Sequence, residues 1–173
     1  MPMITTAPVA TDRDEPFLYE LYASTRQDEM AQAGWDAGQV DAFLRMQFRL
    51  RKASYAMQYP SAEHSVLLSE GQAVGAWIVD RGDSGILLVD IAFLPAHRAK
   101  GFGTSLIRLL QEEAASTKLP VRLQVDRQGS ALRLYERLGF TATGGDAIRL
   151  SMAWIPEAAP MPEAAPMVAG AIP

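Results

Sequence analysis

Leu88-Val89-Asp90-Ile91-Ala92-Phe93-Leu94-Pro95, followed after Ala96-His97 by Arg98-Ala99-Lys100-Gly101-Phe102-Gly103-Thr104, is the stretch from which the fold of this chain can be read. The run from Ile86 to Leu94 is almost wholly apolar, as in a strand covered on both faces, and Pro95 stops it. Beyond the glycines, Leu106, Ile107, Leu109 and Leu110 recur on a helix-like face between Thr104 and Ser116. A strand, a loop and a helix with glycines at its entrance make an anion site. The first turn of a helix has unpaired N–H groups and partial positive charge, and glycines let a diphosphate approach the backbone. Arg98 and Lys100 add charge nearby, yet neither the Walker spacing nor the dinucleotide fingerprint is present.

Working outward, Val121 to Val125 reads as a further strand and Ser130 to Leu138 as a helix ended by Gly139 in the left-handed position. Ile148 to Trp154 closes with an alternating strand. On the other side, Val66-Leu67-Leu68 and Val74 to Val79 form a hairpin through Glu70-Gly71, and Gly82-Asp83-Ser84-Gly85 makes the next turn. Met3 to Thr6 predicts a first strand. A helix is expected from Asp14 to Met30, its start marked by Thr11-Asp12-Arg13-Asp14, and after Gly34 a second, capped by Asp36, runs to about Ala56. The pattern is α+β with a mixed sheet.

With 173 residues, 49% of them apolar, the chain has material for one core, placed here at residues 1–155. Pro156-Glu157-Ala158-Ala159-Pro160-Met161 repeats identically as Pro162 to Met167, so 156–173 is read as a flexible Pro/Ala-rich tail. A net charge of -4 and scattered basic residues argue against nucleic acid as a partner. The lack of cysteine excludes thiolate chemistry, and two histidines give a metal site little material. No apolar run is long enough for a membrane span and the first residues do not form a signal peptide, so a cytoplasmic location without membrane partners is expected.

Two ordered blocks resemble the GNAT N-acetyltransferase superfamily. Arg98-Ala99-Lys100-Gly101-Phe102-Gly103 is similar to its coenzyme A motif, Gln/Arg-x-x-Gly-x-Gly/Ala, and Ala131 to Phe140 is similar to its Ala-x-x-Leu-Tyr-x-x-x-Gly-Phe helix and strand entry. The implied fold is a mixed, mostly antiparallel sheet flanked by about four helices, with a splayed parallel strand pair at the cofactor site. The implied reaction is direct attack of a primary amine of a small molecule, peptide or protein on acetyl-CoA, with no metal. By the same resemblance, backbone groups of Ile91, Ala92 and Phe93 take the pantetheine arm. Amides of Arg98, Ala99, Lys100, Gly101, Phe102, Gly103 and Thr104 hold the pyrophosphate. Arg98 can also pair a phosphate, and Phe102 is expected to pack.

Tyr135 stands where the family often places a phenol near the sulfur, as acid or hydrogen-bond donor. Where some members have a base glutamate this chain has Gln124, which cannot accept a proton. Asp90 lies in the central strand, where some relatives carry a catalytic carboxylate, and is the candidate base, its pKa expected to be raised by burial; Asp126, Glu63 and His64 are secondary candidates, and a water chain to bulk solvent would also suffice. Gln128 replaces a common Asn at the turn before the second motif helix, which alters an expected cofactor contact. Among Trp35, Phe43, Phe48, Tyr55 and Tyr59 most are expected to be core, so no acceptor contact is assigned. The competing reading is a catalytically inactive coenzyme A binding module, suggested by Gln124 and Gln128. A homodimer through an edge strand is compatible with either.

Overall fold

A computed structural model describes residues 3–9 and 11–157, and the tail expected from 156 onward lies outside them beyond Glu157. The first strand, β1 (Ile4–Pro8), is followed by three helices, α1 (Thr11–Ser24), α2 (Gln27–Ala31) and α3 (Ala37–Gln58). A meander of β2 (Glu63–Ser69), β3 (Gln72–Gly82) and β4 (Gly85–Phe93) comes next. A 3-10 turn at Pro95–His97 leads to α4 (Phe102–Thr117), then β5 (Val121–Asp126), α5 (Ala131–Arg137), β6 (Thr141–Gly145) and β7 (Arg149–Trp154). No described helix is long and apolar enough to cross a membrane.

Among the described residues seven strands join one sheet in the order β1-β2-β3-β4-β5-β7-β6. Only β4 and β5 run parallel, because α4 carries the chain back across the sheet between them, whereas the other neighbours are antiparallel. The β2–β3 turn has Glu70 at φ 52° and Gly71 at φ 78°, the paired positive angles that a two-residue hairpin turn requires. Leu106, Ile107 and Leu110 of α4 are each 1% exposed and pack with Leu67, Val74, Val121 and Leu123 into the main core. Burial of each such side chain contributes about 1.5–3 kcal/mol. A second, smaller cluster of Tyr22, Met30 and Leu44 holds the three N-terminal helices together.

The long helix expected from Asp14 to Met30 is instead two helices. Ser24 Oγ donates to Leu21 O and Thr25 Oγ1 to Tyr22 O, both at 2.7 Å, while the Thr25 and Arg26 amides reach back only three residues. Hydroxyls that take up helix carbonyls compete with continuation of the helix, and here they end it. The cap at Asp36 is as expected, and Gln39 completes a reciprocal capping box with it. β6 was not expected from periodicity: Thr141-Ala142-Thr143-Gly144-Gly145 is exposed throughout and has no buried face to read.

Candidate active site

The parallel pairing of β4 with β5 covers Ile86–Val121, Leu87–Arg122 and Leu88–Leu123 and then ceases. At the same level β4 carries a bulge against β3: Asp90 faces Ile78 and Leu88 faces Val79, which leaves Val89 as the extra residue. A bulge bends its strand, so β4 veers from β5 just past Leu88. The Leu94 amide donates to Val74 O on β3, and alternation then turns the backbone groups of Phe93 and Ile91 toward the opened side. Gly75 lies against this stretch so closely that a Cβ there would stand 2.4 Å from Ala92 O, which excludes any other residue.

The glycine-bearing loop closes onto that opening. Ala99 at φ 56° and Gly101 at φ 84° both take left-handed backbone, and Gly101 is the N-cap of α4 without any side-chain cap. The first bond of α4 runs from the Ser105 amide to Gly101 O, so the amides of Phe102, Gly103 and Thr104 have no partner inside the helix. An uncapped helix start beside a splayed strand pair suits an anion followed by an extended amide-bearing arm, and the donor set fits a pantetheine diphosphate. Phe102 packs, as expected, 4% exposed and stacked on Phe93 at 5.9 Å. Arg98 has other business than phosphate: its Nε donates to Phe93 O at 2.9 Å and a terminal nitrogen reaches Ser24 Oγ at 3.2 Å. Lys100 and Gln128 are exposed, and the Gln128 amide donates to Asp126 Oδ1 in the turn before α5.

Tyr135 is 5% exposed on α5 and set edge-on to Phe140 at 5.7 Å. Its hydroxyl is not engaged by another side chain among the described residues. Burial, and after it the charge of Asp90, push the phenol up to about 12. Gln124, across from Ser151 on β7, leans its amide toward Ser151 Oγ at 3.4 Å.

Opposite the loop, α1 and α3 cover β2 to β4 and enclose a cavity of about 290 Å³. Its walls are mainly apolar, with Leu18, Leu21, Phe48 and Ala92 among them, and its charged groups are Arg51, Lys52 and Asp90. Asp90 is paired with Arg51, whose guanidinium nitrogen lies 2.7 Å from Oδ2, the counter-charge a partly buried carboxylate requires. His64, Ile78 and Asp90 form one cross-strand row, so the imidazole and the carboxylate line the same cavity with one residue between them. Burial, against the opposing pull of Asp90 and with help from Lys52, holds the His64 imidazole below its ordinary range. Tyr55 lines the wall as well, its phenol raised first by burial and then by the Asp90 charge.

Of the residues singled out from sequence, the structure brings Tyr135, Asp90 and His64 within one electrostatic neighbourhood. Glu63 is exposed and bound to Arg81 at 2.9 Å, and Asp126 is exposed in its turn. Phe48 and Tyr55 reach the cavity, whereas Trp35 stacks edge-on with Phe43 at 5.2 Å, away from it. Arg51 and Tyr22 were missed. A signal existed: Leu44, Phe48, Arg51 and Tyr55 share one face of α3 at helical spacing, and a cation inside an apolar stripe calls for a buried counter-charge.

Residues 60–142 match the family model of the acetyltransferase (GNAT) domain. No curated protein sequence matches the chain. Solved structures with a similar fold include the PaiA N-acetyltransferase of Thermoplasma acidophilum in complex with coenzyme A, at 14% identity and TM-score 0.63, covering 88% of this chain and 99% of that one. A Corynebacterium glutamicum structure described as histone acetyltransferase HPA2 and related acetyltransferase has 24% identity and TM-score 0.61 over 93% of this chain and 99% of its own. The ribosomal-protein-S18-alanine N-acetyltransferase of Escherichia coli has 19% identity and TM-score 0.58 over 88% and 94%. The mixed sheet with its single parallel pair agrees with the fold of these structures, and residues 60–142 resemble the GNAT acetyltransferase domain.

Proposed function

We propose that this chain transfers an acetyl group from acetyl-CoA to a primary amine held in the cavity between α1, α3 and β4. The observation that carries the reading is the conjunction of three features: β4 and β5 part after Leu88, the uncapped start of α4 packs Phe102 on Phe93 at the end of β4, and Tyr135 is near enough to feel the charge of Asp90. Acetyl-CoA, when bound, supplies the acetyl thioester. Backbone groups of Ile91 and Phe93 and the amides from Ala99 to Thr104 are the proposed holders of its arm and diphosphate, since Ala92 pairs with Ala76 on β3 and the Arg98 amide donates to Pro95 O. Arg98 contributes by fixing the loop against β4 and α1, consistent with its bonds to Phe93 and Ser24.

Tyr135, pushed up to about 12, keeps its proton at neutral pH. Outright transfer of that proton to a thiolate of ordinary thiol pKa would be uphill by about 5 kcal/mol, so the phenol acts as a hydrogen-bond donor to developing charge on sulfur. Asp90 attracts the acceptor ammonium. Its pairing with Arg51 makes it a poor sole base, and His64, held neutral on the same wall, is the proposed sink for the proton through intervening water. The inactive-module reading draws on Gln124, whose amide rests on Ser151, and on the occupied carboxylate of Asp90. Free-thiol release from acetyl-CoA with a panel of amines, run beside thermal protection by coenzyme A, separates them. Amine-dependent release is the expected result; protection without release from any amine would overturn transfer and leave binding.

A further inference from the structure

The charged pair in the cavity wall narrows the acceptor. Arg51 is held in place on three sides: its guanidinium carbon lies 5.4 Å from the Tyr22 ring centroid and 5.2 Å from that of Tyr55, and its Nε donates to the Tyr55 hydroxyl at 3.2 Å. Asp90 completes the set at 2.7 Å, and the two side chains keep 29% and 32% exposure. A plain ammonium group approaching Asp90 meets the Arg51 cation almost as soon, so attraction and repulsion largely cancel. Lys52 on the same wall is paired with Glu15, which leaves the Arg51–Asp90 pair to meet a charged ligand. A molecule carrying both signs on neighbouring atoms gains from both partners, because it lies against the pair with its charges reversed. The remaining wall is apolar and aromatic, and about 290 Å³ is at the small end of ligand cavities.

We propose that the acceptor is a free α-amino acid with an apolar or aromatic side chain, its ammonium on Asp90, its carboxylate on Arg51 and its side chain among Leu18, Leu21 and Phe48. This rests on the acetyltransferase reading. In the reaction the new N–C bond replaces the thioester C–S bond, one ammonium proton ends on sulfur and a second leaves through the wall base, giving an N-acetyl amino acid and the free thiol.

The test compares L-phenylalanine and L-leucine with 2-phenylethylamine, which lacks the carboxylate, and with spermidine, on the full chain and on Arg51→Lys and Arg51→Met. Arg51→Lys keeps a charge beside Asp90 if the methionine variant does not fold. The amino acids are expected to be acetylated with a KM at least about tenfold below that of 2-phenylethylamine. Either substitution is expected to raise the amino-acid KM about 10- to 100-fold, whereas that of 2-phenylethylamine does not rise and falls in Arg51→Met, which removes the opposing cation. Preference for 2-phenylethylamine or spermidine, or an equal KM rise on every acceptor, would overturn the assignment while leaving acetyl transfer intact. Calorimetric titration of L-phenylalanine without donor decides the pocket independently of turnover: binding lost in Arg51→Met upholds it even without thiol release, and no binding to the parent chain overturns it.

Discussion

The two halves of the site are built on different principles. On the donor side, from Leu88 to Thr104, the chemistry belongs to the backbone: a strand that bends away from its neighbour, two left-handed residues and an uncapped helix start. On the acceptor side, α1, α3 and three strands contribute single side chains to a cavity, and a charge pair in its wall joins Arg51 to Asp90 across elements far apart in sequence. Backbone recognition fixes a shape that tolerates many side chains, which suits a ligand shared across a family. Side-chain recognition fixes one partner.

Substitutions can sharpen that contrast. Tyr135→Phe, at the boundary of the two halves, is expected to have the largest effect, lowering kcat about 100-fold or more with coenzyme A affinity unchanged. Equal turnover in the variant would remove the phenol from the mechanism. On the donor side, Gly101→Val places a branched side chain at φ 84° and costs about 1–2 kcal/mol in strain. Coenzyme A protection against heat should then weaken by about tenfold in affinity, whereas Gly103→Ala, whose Cβ would meet Leu134 at an ordinary 3.6 Å, should leave it nearly intact. If both behave alike, the loop is not the cradle described.

The next effect is one of pH. His64 is held below its ordinary imidazole range, chiefly by burial, so it stays neutral to a lower pH than a free imidazole and gains its proton only below that range. An acid limb in kcat/KM is expected there, and His64→Asn should lower the plateau and flatten the limb; an unaltered limb would exclude His64 as the proton sink. The smallest effect belongs to Phe48→Ala, expected to raise the acceptor KM by about 3- to 10-fold through lost apolar contact while leaving the donor KM unchanged. A change in both would mean that the two halves are not separable.

The same contrast explains which features are legible in the sequence. The loop, α4 and the end of α5 were legible because proline, glycine and apolar period mark them locally, and Gly139 indeed takes φ 85° behind α5. The Arg51–Asp90 pair was not, since nothing local names the partner of a charge on α3, and Asp90 alone reads as a carboxylate available for base chemistry. β6 escaped for the opposite reason: its hydrogen bonds to β7 hold residues whose side chains bury nothing. The end of α1 depended on two hydroxyls choosing their own helix carbonyls, a choice that sequence leaves open.

Arg98 also connects the two halves mechanically. One guanidinium bonds the last carbonyl of β4 and the last hydroxyl of α1, so the lip of the donor cleft and the roof of the acceptor cavity share a hinge pin. Opening either side beyond hydrogen-bond reach must break one of these two bonds.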